Sequence, residues 1–192
     1  MTETSKKESL RHDRGPNKWL DAAIKTLIEE GVDAVRVERL ATRMGFSRGS
    51  FYHHYQDREA LLKAVLEHYL QINHQNLVEM LPALKGTAQD KLWTLWTATA
   101  SQEFRDYDWA IRMWGMHDTH VAEVLKKIDV KRMEVMIGLF MEMGFNEDEA
   151  NIRAALAYHG SLGDRAFFGP FPPMAKRLEW RHIALDILTH RP

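Results

Sequence analysis

Residues 36–62 read RVERLATRMGFSRGSFYHHYQDREALL, and this run restricts the chain more than any other part of it. Val37, Leu40, Ala41 and Met44 repeat at helical spacing over two turns, and Gly45 stops them. A second short helix follows from Ser47, a residue suited to cap it, and runs to about Tyr55. Two short helices joined by a glycine-containing turn form a helix-turn-helix, in which the second helix enters the major groove. Ala41 is small where the helices would cross, and Gly45 can take the positive φ of a sharp turn. With Phe51 and Tyr55 turned inward, Arg48, Gly49, Tyr52 and His53 fall on the opposite side.

That outward face has the chemistry of a nucleic-acid contact. Arg48 can donate a bidentate pair to guanine or bond a phosphate, Gly49 lets the backbone approach closely, and Ser50, Tyr52 and His53 can reach phosphate oxygens. The N–H groups at the start of the helix attract phosphate as well. Arg58 opens the next helix near the same surface. The whole chain carries 26 Lys and Arg against 27 Asp and Glu, so net charge alone points to no such partner. The distribution does: Arg36, Arg39, Arg43, Arg48 and Arg58 face only Glu38 and Asp57 in this stretch, with His53 and His54 beside them.

Around this run the helical pattern continues. Leu20, Ala23, Ile24 and Leu27 form a stripe after Pro16 that ends at Gly31, and Asp57 caps a long helix marked by Leu62, Val65, Leu66 and Tyr69 that meets no breaker before Pro82. Thr87 and Asp90 bracket the start of a helix apolar on several faces, which predicts a central position for it. Asp118 caps a segment reaching Met143, Gly144 stops it, and Asn146 with Glu149 is a capping box for the next helix. GPFPP at residues 169–173 forces a turn before a last stripe of Trp180, Ile183, Ala184, Ile187 and Leu188. With no strand-like alternation, the chain reads as all-α, with a polar, mobile arm over residues 1–15. The absence of cysteine excludes disulfides and thiol chemistry, and no apolar run is long enough for a membrane span or a signal-peptide core, which predicts a soluble, cytoplasmic chain.

Residues 17–66 resemble the DNA-binding domain of the TetR family of transcriptional regulators, in register from the helix ending at Gly31 through LATRMGFSRGSFYHHYQDREALL. The resemblance implies phosphate contacts at Arg36, Ser50, Tyr52, His53 and Arg58, with Arg48 and Gly49 also at the groove. Three positions depart from the family pattern: Arg36 stands where a Ser or Thr cap is usual, Tyr55 replaces Phe, and Arg58 replaces Lys. Loss of the cap would cost about 1 kcal/mol. The resemblance further implies a three-helix DNA-binding domain over residues 16–62 and a helical effector-binding and dimerisation domain over residues 63–192.

In that second domain Trp93, Trp96, Phe104, Trp109, Met113, Trp114 and His117 are the candidate effector residues, because flat and adaptable side chains line pockets for apolar or aromatic molecules. The same side chains also fill cores. His117, Asp118 and His120 lack a metal motif, and no metal or other cofactor is assigned. The last two helices carry the expected homodimer interface, the first with Ala154, Ala155, Ala157, Gly160 and Gly163, the second with the stripe ending at Leu188. The resulting expectation is a homodimeric repressor bound to a palindromic double-stranded operator and released by a small apolar or aromatic ligand. An activator or a ligand-independent regulator is the alternative. An α-helical enzyme is a further one, but no nucleophile elbow, phosphate loop or cofactor fingerprint supports it.

Overall fold

The computed structural model describes residues 15–74, 80–98, 100–166 and 173–190. The expected N-terminal arm and most of the GPFPP turn lie outside them. Among the described residues every regular element is helical. The helices are α1 (Pro16–Glu30), α2 (Val37–Met44), α3 (Arg48–Tyr52), α4 (Arg58–His74), α5 (Met80–Ala83), α6 (Ala88–Ala98), α7 (Gln102–Gly115), α8 (Thr119–Glu142), α9 (Glu147–Ala166) and α10 (Met174–Thr189), with a 3-10 turn at Val32–Ala34. No helix of the described residues is long and apolar enough to cross a membrane.

Helix ends fall where side chains can satisfy the free backbone groups. The Ala60 amide donates to Asp57 at 2.8 Å, and Thr87 and Asp90 bond reciprocally, Thr87 N to Asp90 at 2.9 Å and Asp90 N to Thr87 Oγ1 at 3.2 Å. Asn146 and Glu149 form the anticipated capping box: the Asn146 amide donates to the Glu149 carboxylate at 3.1 Å, and the Glu149 amide donates to Asn146 Oδ1 at 2.9 Å. Asp118 accepts the amides of His120 and Val121 and so caps α8. At the N-terminus of α2, Arg36 makes no capping bond, as its side chain dictates.

By packing, the chain forms two units, neither of them continuous in sequence. The first contains the described residues up to Ile72 together with Asp106–Ala122; the second contains Asn73–Arg105 and the residues from Glu123 onward. Residues 63–72 and 106–122, assigned to the second domain along the sequence, therefore pack with the N-terminal helices. The bonds that join them are specific: Tyr69 Oη donates to Asp108 at 2.5 Å, Arg112 Nε donates to the other oxygen of Asp108 at 2.7 Å, and Tyr107 Oη donates to the Val65 carbonyl at 2.7 Å. Burial pushes the Tyr107 hydroxyl far above the ordinary phenol range.

The second unit has its own core, built from Leu92 of α6, Met136, Leu139 and Phe140 of α8, Ala150, Ala154, Ala157 and Tyr158 of α9, Leu185 of α10, and Phe145. The α6 helix is less central than its composition suggests. Only Ala88 and Leu92 are buried in it, while Trp93 and Trp96 are half-buried at the margin of the core. Arg132 is buried with them and donates to Tyr158 Oη at 3.1 Å and to Asn73, and Tyr158 Oη in turn donates to Asp129 at 2.6 Å.

Candidate nucleic-acid interface

The five residues of α3 are too few to hold a helix by local bonds alone. Phe51, fully buried, anchors it: its ring lies edge-on to Trp19 of α1 at 5.1 Å, and Trp19 also meets Phe46 at 5.8 Å. Burying such a ring is worth roughly 1.5–3 kcal/mol, enough to hold one turn of helix in place. The turn ahead of α3 is set by Gly45, whose φ of 66° lies in the left-handed region. Its amide bonds the Thr42 carbonyl at 3.3 Å, and the Phe46 amide reaches back to Ala41 at 2.9 Å, a Schellman close of α2. Ser47 then caps α3 by accepting the Ser50 amide at 3.2 Å.

This scaffold brings the sequence-predicted residues of α3 together on one surface. Arg48, Gly49, Tyr52 and His53 are exposed, and Ser50 is half-buried. Tyr52 is 58% exposed although its ring packs edge-on against Phe51 at 5.2 Å, so the phenol is oriented and available at once. Arg48 pairs with Glu38 at 3.5 Å, both side chains more than half exposed. A pair of that kind is worth little in water and exchanges readily for a phosphate or a base edge. The helix itself ends at Tyr52, three residues short of the expected Tyr55, and His53 and His54 occupy the turn that follows. Tyr55 bonds its hydroxyl to the Pro16 carbonyl at 3.3 Å, tying that turn to the start of α1.

The other arginines have partners that spacing along the chain does not disclose. Arg43 donates to Glu29 and Glu30 of α1, both at 2.8 Å, and to Thr26 Oγ1 at 3.2 Å, while Arg39 pairs with Glu30. The acids that balance them precede the basic run in sequence, so these two guanidinium groups fasten α2 to α1. Arg36 donates to the Asp33 carbonyl at 2.9 Å and remains exposed. Arg58, at the first turn of α4, donates to the carbonyls of Val35 at 2.7 Å and Val32 at 2.8 Å. It thereby fills the acceptors of the turn between α1 and α2, a structural task alongside its predicted phosphate contact.

The candidate effector residues divide between the two units. Trp93, Trp96 and Phe104 belong to the second, and Trp109, Met113, Trp114 and His117 to the first. In the second unit the Trp96 indole donates to Ser161 of α9 and its ring lies beneath Arg181 of α10, which also donates to the Trp96 carbonyl at 2.8 Å. Trp93 stacks obliquely on His182 at 4.2 Å. Both tryptophans join α6 to neighbouring helices. Among the described residues no group of three histidines or acids is arranged to hold a metal ion.

Comparison with known proteins agrees with this geometry. Residues 20–65 match the family model for bacterial regulatory proteins of the tetR family. The tetracycline repressor protein class A from transposon 1721 of Escherichia coli is 38% identical over 63 residues, which are 33% of this chain and 29% of that protein. The HTH-type transcriptional repressor NemR of Escherichia coli K12 is 28% identical over 75 residues, 39% of this chain and 38% of NemR. The chain thus matches only about a third of the length of these relatives. Over nearly the whole chain the fold is similar to that of the ketosteroid transcriptional regulator KstR2 of Mycobacterium tuberculosis, with a TM-score of 0.71 at 13% identity, covering 92% of this chain and 95% of that one. It is also similar to GusR of Salmonella enterica, with a TM-score of 0.67 at 20% identity and coverage of 91% and 93%. These matched proteins are transcriptional regulators and not enzymes. The helix-turn-helix region, residues 20–65, thus matches the tetR family of bacterial regulatory proteins, and it is carried on a fold similar to those of solved transcriptional regulators.

Proposed function

We propose that the protein is a cytoplasmic, homodimeric transcriptional repressor that binds an inverted-repeat operator and is released from it by a small molecule. The observation that carries this reading is the outward face of α3, where an oriented, exposed Tyr52 stands with Arg48, Gly49 and His53 above a turn fixed by Gly45 and Ser47. Backbone contacts from Arg36, Ser50, Tyr52, His53 and Arg58 would set the register, and Arg48 at a base edge would supply discrimination.

The last two helices support pairing of two chains. On α9, Ile152 and Leu156 are more than 60% exposed, one turn apart, and on α10 Trp180, Ile183 and Ile187 form an exposed stripe at i, i+3 and i+7. A Cβ added at Gly160 or Gly163 would meet nothing, so the α9 surface leaves room for close approach of another helix. A two-fold dimer would present two α3 helices to successive major grooves, about 34–36 Å apart. Release requires an effector that binds the DNA-incompatible arrangement more tightly than the compatible one.

Selection of duplexes from a random library by the full chain tests the reading. The expected product is an inverted repeat bound by two chains, with affinity falling steeply as salt rises because phosphate contacts release counterions. Recovery of no inverted repeat, or binding indifferent to salt, would sink it.

A further inference from the structure

Glu38 is an acid on a surface whose other exposed groups suit a polyanion. It lies in the first turn of α2, more than half exposed, with its carboxylate 3.5 Å from the Arg48 guanidinium of α3. The neighbouring acids are used inside the fold: Glu29 and Glu30 hold Arg43 and Arg39, and Asp57 accepts the Ala60 amide at the start of α4. Both arginines of α2 are taken up in those contacts, so among the described residues the ion pair of Glu38 reaches across to the exposed face of α3. An acid in a first helical turn suits the helix dipole, which accounts for Glu38 on α2 but not for its place beside Arg48. Phosphates repel a carboxylate, so next to a duplex this one lowers affinity unless a base edge offers it a hydrogen bond.

We infer that Glu38 is a specificity-determining residue, and that Glu38 and Arg48 together read one C·G pair in the major groove of the operator. The donor and acceptor code of that groove selects the pair. Guanine shows two acceptors there, thymine an acceptor and a methyl group, and adenine a donor beside an acceptor; cytosine alone shows only a donor, its N4 amino group. A carboxylate accepts and cannot donate, so cytosine is the base that bonds it without setting a lone pair against it. The guanine opposite presents the two acceptors that a guanidinium fork fits. Arg48 and Glu38, held 3.5 Å apart, thus match the order of acceptors and donor along a C·G edge. Both side chains are more than half exposed, so the pair gives up little in water when it meets such an edge. Guanine or thymine in the place of that cytosine would set an acceptor or a methyl group against the carboxylate, and Glu38 therefore rejects wrong sequences as well as binding the right one. The inference rests on the operator reading and deepens it.

The test uses the full-length chain and the duplex it selects, with each of the four base pairs placed in turn at every half-site position and titrated by fluorescence anisotropy. The unsubstituted chain should prefer C·G at one position of the half-site by about tenfold. Glu38→Ala, which removes the acceptor, should abolish that preference by raising affinity for the other pairs, with the thermal midpoint unchanged, and Arg48→Ala should lose discrimination at the same pair. N4-methylcytosine at that position checks the contact without altering the protein. It still pairs with guanine, but its methyl group takes the place of the N–H exposed in the major groove, and binding by the unsubstituted chain should fall about tenfold. A chain that selects no duplex sinks the operator reading and this inference with it. With a selected duplex in hand, unchanged base preference in Glu38→Ala, loss of discrimination at a different pair in Arg48→Ala, or full affinity for the N4-methylcytosine duplex would each overturn the role of Glu38 and leave the operator reading standing.

Discussion

At the scale of single residues, Arg58 shows how one side chain can serve two surfaces. Sequence position puts it beside the DNA-facing helix, and the structure gives it the Val32 and Val35 carbonyls. The Val32 carbonyl also accepts the Val35 amide at 3.1 Å within its 3-10 turn, and a charged donor is the strongest partner either carbonyl can have. Arg58→Ala should therefore lower stability by about 1–3 kcal/mol in urea unfolding, in addition to any loss of operator affinity. Lysine at this position could keep the charge but, with one compact head group, would not reproduce a fork that reaches two carbonyls at once. An unfolding midpoint in Arg58→Ala equal to that of the unsubstituted chain would show that the turn does not depend on it.

Among the elements, α4 matters most because its first turn holds the turn between α1 and α2 through Arg58 while its later turns are clamped by α7. The clamp is the Tyr69–Asp108–Arg112 chain of bonds, with Tyr69 and Asp108 both buried. Tyr69→Phe removes one donor to a buried carboxylate and should cost about 1–3 kcal/mol; Asp108→Ala removes the acceptor that Tyr69 and Arg112 share and should cost more. Equilibrium unfolding of both variants checks the order, and a larger loss in Tyr69→Phe would argue against the clamp.

Elements set by local chemistry were legible in the sequence. Gly45, Ser47, Asp57, Asp118 and the Asn146–Glu149 pair end or begin helices where their spacing says they must, since a cap involves residues three apart. The partners of Arg39, Arg43 and Arg58 were not legible, because they lie 9 to 26 residues away and depend on how α1 packs. The shortness of α3 and the marginal place of α6 escaped for a related reason: aromatic residues mark an apolar face equally well when they pack at the edge of a core and when they fill its centre.

For the whole molecule the proposal predicts an assembly as well as a fold. Ile187 is 67% exposed on the chain by itself, so a charge there costs the isolated chain little. In a paired α9–α10 interface the same charge would be buried without a partner, at a cost of several kcal/mol. Ile187→Glu should sediment as a folded monomer with an unchanged helical spectrum and weakened operator binding. A dimer of unaltered strength would place the interface elsewhere.

The central claim is that the exposed face of α3 reads DNA, and operator titration of Arg48→Ala and Tyr52→Ala by fluorescence anisotropy tests it most directly. Both side chains lie outside the core, so the thermal midpoint should stay within a few degrees of the unsubstituted chain. Each variant should lose roughly 1–3 kcal/mol of binding, a five- to 150-fold rise in Kd, with Arg48→Ala also relaxing discrimination at one base pair. Folded variants that bind the selected duplex as tightly as the unsubstituted chain would contradict the claim.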